Sequence, residues 1–154
     1  MTSRQLTALL ILSLPLICAG TKAVDDSVPD EVSRRFMHED LWKKLDISER
    51  VNPFYLRADL DGDGKPGYAV LVFDKNSRQE HVALVMSGAS KVGLYLSKGR
   101  NFDGWTIVDT RYLTPKLAGI LRATHREAFV TKFGGPGILE YWDGKGLRSV
   151  PWGD

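Results

Sequence analysis

From residue 52 onward, the apolar residues of this chain fall in short runs of near two-residue period, with glycine, aspartate, asparagine or proline in the links between them. The runs are residues 54–58 (FYLRA), 68–73 (YAVLVF), 81–86 (HVALVM), 92–96 (VGLYL), 105–108 (WTIV), 127–132 (EAFVTK), 138–142 (ILEYW) and 147–150 (LRSV). Such runs read as strands, and the short links between them leave little room for parallel crossovers. Asp143-Gly144-Lys145-Gly146 is good hairpin chemistry, and the glycines of residues 134–137 mark another turn. Residues 114–121 fit either a short helix begun at Pro115 or an extended crossing. One longer helical pattern precedes the strands, over residues 30–45: Val32, Phe36, Met37, Leu41 and Leu45 recur at four-residue spacing, with Trp42 at the border. Asp26 or Ser27 is placed to cap it, Pro29 suits a first turn, and Asp30 and Glu31 suit its dipole. The expectation is a single α+β domain over residues 24–154, a mostly antiparallel meander with one N-terminal helix packed on a face.

Residues 1–23 are set apart from that domain. Arg4 precedes an apolar stretch over residues 6–17, and the small residues Ala19, Gly20 and Ala23 follow. This is the layout of a secretory signal peptide, with cleavage expected after Ala23 or after Gly20. An anchor fits less well, because the stretch is short of the ~20 residues that span a bilayer. Lipid attachment at Cys18 is disfavoured by Ile17 before it, where a small residue is required. Cleavage would remove the chain's single cysteine and two of its 21 basic residues, so that 19 basic residues face 19 acidic ones. A cysteine-free, neutral domain has no disulfide framework and no basic stripe for nucleic acid. A periplasmic or secreted location is expected, with no membrane span after cleavage.

The densest chemistry lies between the first two strand runs, in Asp59-Leu60-Asp61-Gly62-Asp63-Gly64-Lys65-Pro66-Gly67. Alternating aspartates with interleaved glycines supply hard oxygen ligands on a chain that turns tightly, as calcium requires. The expected ligands are the carboxylates of Asp59, Asp61 and Asp63 and the backbone carbonyl of Lys65. A helix–loop–helix calcium hand is disfavoured, because its twelfth position needs a bidentate glutamate and this chain has Val70 there. A plain Asp-Gly turn that needs no ion is the other reading of the same residues.

The loop resembles the strand–loop–strand calcium loop of FG-GAP and integrin-type repeats, of pattern close to DxDGDGxxDxxV. Asp59, Asp61, Asp63, Gly64 and Tyr68-Ala69-Val70 match it, whereas Gly67 stands where those loops carry a last aspartate. Residues 58–72 (ADLDGDGKPGYAVLV) and the terminal segment from Tyr141-Trp142-Asp143-Gly144-Lys145 to Trp152-Gly153-Asp154 resemble small exported bacterial proteins of unknown function. Residues 87–90 (SGAS) are similar to the SGA-containing loop by which some periplasmic lysozyme inhibitors plug an active site.

Catalytic signatures do not appear. The chain has no G-x-S-x-G elbow, no H-E-x-x-H pair and no phosphate-binding G-x-x-x-x-G-K-[ST]. His38, His81 and His125 are far apart and lack ligand spacing. Asp103 beside Trp105 is the nearest approach to a carboxylate with a sugar-stacking ring. The expected function is therefore a non-catalytic binding or interaction domain with a calcium-stabilised hairpin loop, its partner a protein or cell-envelope component. The alternative is a periplasmic inhibitor or immunity protein against a cell-wall-degrading enzyme.

Overall fold

A computed structural model of the chain describes residues 27–96, 102–132 and 137–152. The leader with both cleavage positions, Asp26, most of the 134–137 turn and the last two residues lie outside them. The described elements run α1 (Asp30–His38), β1 (Leu45–Ile47), β2 (Tyr55–Ala58), β3 (Gly67–Asp74), β4 (Glu80–Val85), β5 (Gly93–Leu96), β6 (Gly104–Val108), α2 (Pro115–Ala123), β7 (Ala128–Lys132), β8 (Gly137–Trp142) and β9 (Leu147–Trp152). All strand pairings among them are antiparallel, and the α+β, mostly sheet architecture is as the sequence implies.

The strands divide into two sheets. The first has the order β1-β3-β4-β5, with β2 also paired to β3. β1 opposes the second half of β3 and β2 the first half. Leu71 holds the two together: its carbonyl accepts the Ser48 N–H at 2.9 Å and its N–H donates to the Phe54 carbonyl at 2.9 Å. The second sheet is the meander β6-β7-β8-β9.

Alternation along the central strands sorts side chains into three cores. Ala69, Leu71, Val82 and Leu84 of the first sheet meet Trp105 and Phe129 of the second. Val70, Val72, Ala83 and Val85 face the other way, against Val32 and Phe36 of α1. Ala128, Val130 and Leu139 turn from the second sheet toward Ala118 and Leu121 of α2. The layers are thus helix, sheet, sheet, helix. Residues 69–72 and 82–85 are buried throughout because both faces of their sheet are covered.

Two helical expectations change. The 30–45 helix ends at His38, since Asp40 takes the left-handed conformation (φ 56°) and the chain leaves the axis. Leu41–Lys43 forms one 3-10 turn and Leu45 begins β1. Leu41 and Leu45 still reach the core that Val32 and Phe36 build, whereas Met37 is 45% exposed. Pro29 takes the N-cap position of α1, with no side-chain cap bond. The undecided 114–121 stretch becomes α2: Thr114 is its N-cap and Pro115 its first residue, where a missing N–H costs nothing.

Candidate functional site

The 59–67 segment connects β2 to β3 at one end of the sandwich. Asp59 organises it. Its carboxylate accepts the N–H groups of Gly62 (2.8 Å), Asp63 (3.1 Å) and Gly64 (2.9 Å), which folds the loop around one side chain. Gly62 (φ 78°) and Gly64 (φ 81°) supply the left-handed conformations that the turn demands. Asp63 repeats the device on a smaller scale, accepting the Lys65 N–H at 2.8 Å.

The result brings Asp59, Asp61 and Asp63 together. One carboxylate oxygen from each lies within 4.8 Å of the others, a cluster able to hold a metal ion. Burial, and then the charge of Asp63, push the Asp61 carboxyl above the usual range. Asp63 moves the other way, held low by the Ser87 hydroxyl and then by the Lys65 N–H. Lys65, two residues beyond Asp63, is exposed and is tied to the cluster by its N–H on the Asp63 carboxylate. Gly67 is a physical consequence of the fold. It pairs with Ala58 and is buried, and a Cβ there would lie 2.8 Å from the Val85 carbonyl oxygen. The strand pairing that closes the loop therefore leaves no room for a fourth carboxylate at that position.

Distant residues hold the loop in place. The Asp59 N–H donates to the Glu127 carboxylate at 2.6 Å, and the Glu127 N–H donates to the Asp59 carbonyl at 2.8 Å. Arg126 Nε donates to the Asp61 carbonyl at 3.2 Å, while its Nη1 donates to the Trp142 carbonyl at 3.3 Å. Through Arg126 the loop adjoins the β8–β9 hairpin. There Asp143 accepts the N–H groups of Lys145 (2.8 Å) and Gly146 (2.9 Å) and pairs with Arg148. The two segments that carry the resemblance are thus neighbours in space. The ties of Ser87, Arg126 and Glu127 to the loop escape sequence reading, because no local pattern links them to residues 24 to 68 positions away; Ser87 stands out in the sequence only as part of residues 87–90.

Residues 87–90 form the turn between β4 and β5, and both sides of it are bonded back to the fold. The Ser87 hydroxyl donates to the Asp63 carboxylate, and the Ala89 carbonyl accepts from Arg35. Trp105 is 5% exposed and packs between Phe102 and Phe129, so it offers no sugar-stacking face beside Asp103. His38 and His125 are exposed and His81 sits in β4; none joins a cluster of three metal-ligating side chains among the described residues. No helix among those residues is long and apolar enough to cross a membrane. Comparison of the chain with protein-family models, curated proteins and solved structures finds no match.

Proposed function

We propose that this chain is an exported, non-catalytic binding domain whose β2–β3 loop takes a calcium ion and thereby fixes the loop end of the sandwich as a binding face. The observation that carries the reading is the convergence of Asp59, Asp61 and Asp63, with Asp61 held protonation-prone by burial and by its neighbour's charge. A divalent cation relieves that repulsion. Calcium suits a flexible, oxygen-only set of carboxylates and a carbonyl better than magnesium, which demands near-ideal octahedral geometry. The leader layout supports export, where millimolar calcium is met. Loop insertion into a cell-wall enzyme through residues 87–90 draws less support, because that turn is bonded to Asp63 and Arg35.

The test is a calcium titration of chelator-stripped, isotopically labelled protein followed by amide NMR. The Gly62, Gly64, Lys65 and Ser87 amides are expected to move together and saturate at about 10⁻⁴–10⁻³ M, the range of extracellular modules. If none of them moves at ten times that concentration, the reading fails.

A further inference from the structure

The turn between β4 and β5, residues 87–92, reaches the aspartate loop on one side and α1 on the other. Toward the loop, the Ser87 hydroxyl donates to Asp63 Oδ2, and the other oxygen of that carboxylate accepts the Lys65 N–H at 2.8 Å. Gly88 brings bare backbone over the same cluster, so that a Cβ there would lie 3.6 Å from Asp61 Oδ2 and 3.9 Å from Asp63 Oδ2. Toward α1, two charged side chains grip the turn. Arg35 donates to the Ala89 carbonyl, and the Glu39 carboxylate accepts the Val92 N–H with both oxygens, at 2.9 and 3.1 Å. Arg35 and Glu39 stand one helical turn apart, with Nε and Oε1 4.0 Å from each other. The Glu39 side chain is 16% exposed, which shields its charge-assisted bond from water. Packing fixes the turn between these contacts: Ala89 lies against the core between the sheets, and Val92 is buried with Val32 and Phe36 of α1. The turn is therefore a short strap, held by a charged grip at the helix and by a hydroxyl latch at the loop.

We infer that this strap is a conformational relay: Arg35 and Glu39 hold the turn where Ser87 latches Asp63, so that the end of α1 sets how tightly the β2–β3 loop is closed. The path is contiguous, from Glu39 through Val92 and the turn to Ser87, Asp63 and Lys65. Coupling of this kind is reciprocal, so release of Asp63 by Ser87 loosens the hold on Val92. The relay gives the fold a route from its helix-covered face to its loop end. It goes beyond the ion reading and works without the ion, so the calcium titration can fail and leave it standing.

Amide exchange of isotopically labelled protein in EDTA, followed by NMR, tests it. Glu39→Ala should speed exchange of the Lys65 amide about fivefold, the effect of losing one hydrogen bond, while Leu71 and Leu84 in the central strands keep their rates. Glu39→Gln keeps an acceptor for the Val92 N–H and should leave Lys65 within about twofold of the parent. In a Ser87→Ala background the latch is gone, and Glu39→Ala should then speed Lys65 by no more than about twofold. Ser87→Ala alone should speed the Val92 amide. An unchanged Lys65 rate in Glu39→Ala, the full fivefold change in both backgrounds, or a Val92 amide indifferent to Ser87→Ala overturns the inference. Faster exchange of Leu71 and Leu84 in step with Lys65 overturns it too, because the whole fold has then loosened.

Discussion

Gly62 and Gly64 share a left-handed backbone but not an environment. A Cβ on Gly64 meets open space, whereas one on Gly62 overlaps the Thr124 carbonyl oxygen. Gly64→Ala should therefore cost only the conformational strain, about 1–2 kcal/mol. Gly62→Ala must also displace the end of α2 and should cost clearly more; chemical denaturation of the two variants decides. Asp61 carries a second residue-scale consequence. Its carboxyl is raised in the fold, so its share of stability is full below about 3.8, its ordinary value, and is lost as pH rises through the raised value. Without calcium, Asp61→Asn should raise the melting temperature at neutral pH and flatten its fall above pH 4. A variant less stable than the parent at neutral pH contradicts this electrostatic account.

At the scale of elements, strands were legible and one helix end was not. Runs such as 68–73 carry β-branched and aromatic residues between strong turn formers, and period two is a local property. The end of α1 depends on Asp40 adopting a left-handed φ, while Leu41 and Leu45 keep the helical spacing because they serve the same core from a turn and a strand. β1 is three residues long, and pairing with β3 alone defines it. The double burial of β3 has a direct test. Val70→Ala and Leu71→Ala point to opposite cores, and each should destabilise, the leucine by about 2–5 kcal/mol. A sheet wet on one face would register only one of the two. The β8–β9 hairpin adds a pH dependence. Backbone N–H donors and Arg148 hold Asp143 at about 2 against an ordinary 3.8. Its contribution is full above 3.8 and fades as pH falls through about 2, so hairpin amides should lose exchange protection in that window before the central strands do.

The whole molecule explains what the sequence left open about the site. The three aspartates and their glycines were visible as a pattern, and their convergence follows from local turn chemistry. The anchoring was invisible, since Arg126 joins Asp61 to Trp142 only after two sheets have stacked. Arg126→Ala should cost about 1–3 kcal/mol through the two bonds it makes to backbone carbonyls. Lysine at that position should restore little, lacking the fork that spans both acceptors. The division into two sheets was likewise hidden, because a meander and a pair of stacked sheets share the same alternation along each strand. The central claim is that this architecture presents a working ion site. Thermal unfolding of the protein in EDTA and in 10 mM calcium, beside Asp61→Asn, tests it most directly. For a dissociation constant near 1 mM, native-state binding should raise the melting temperature by about 3–6 °C, and Asp61→Asn should abolish that rise. An unchanged melting temperature, or the same rise in the variant, would reduce the loop to a turn and contradict the account.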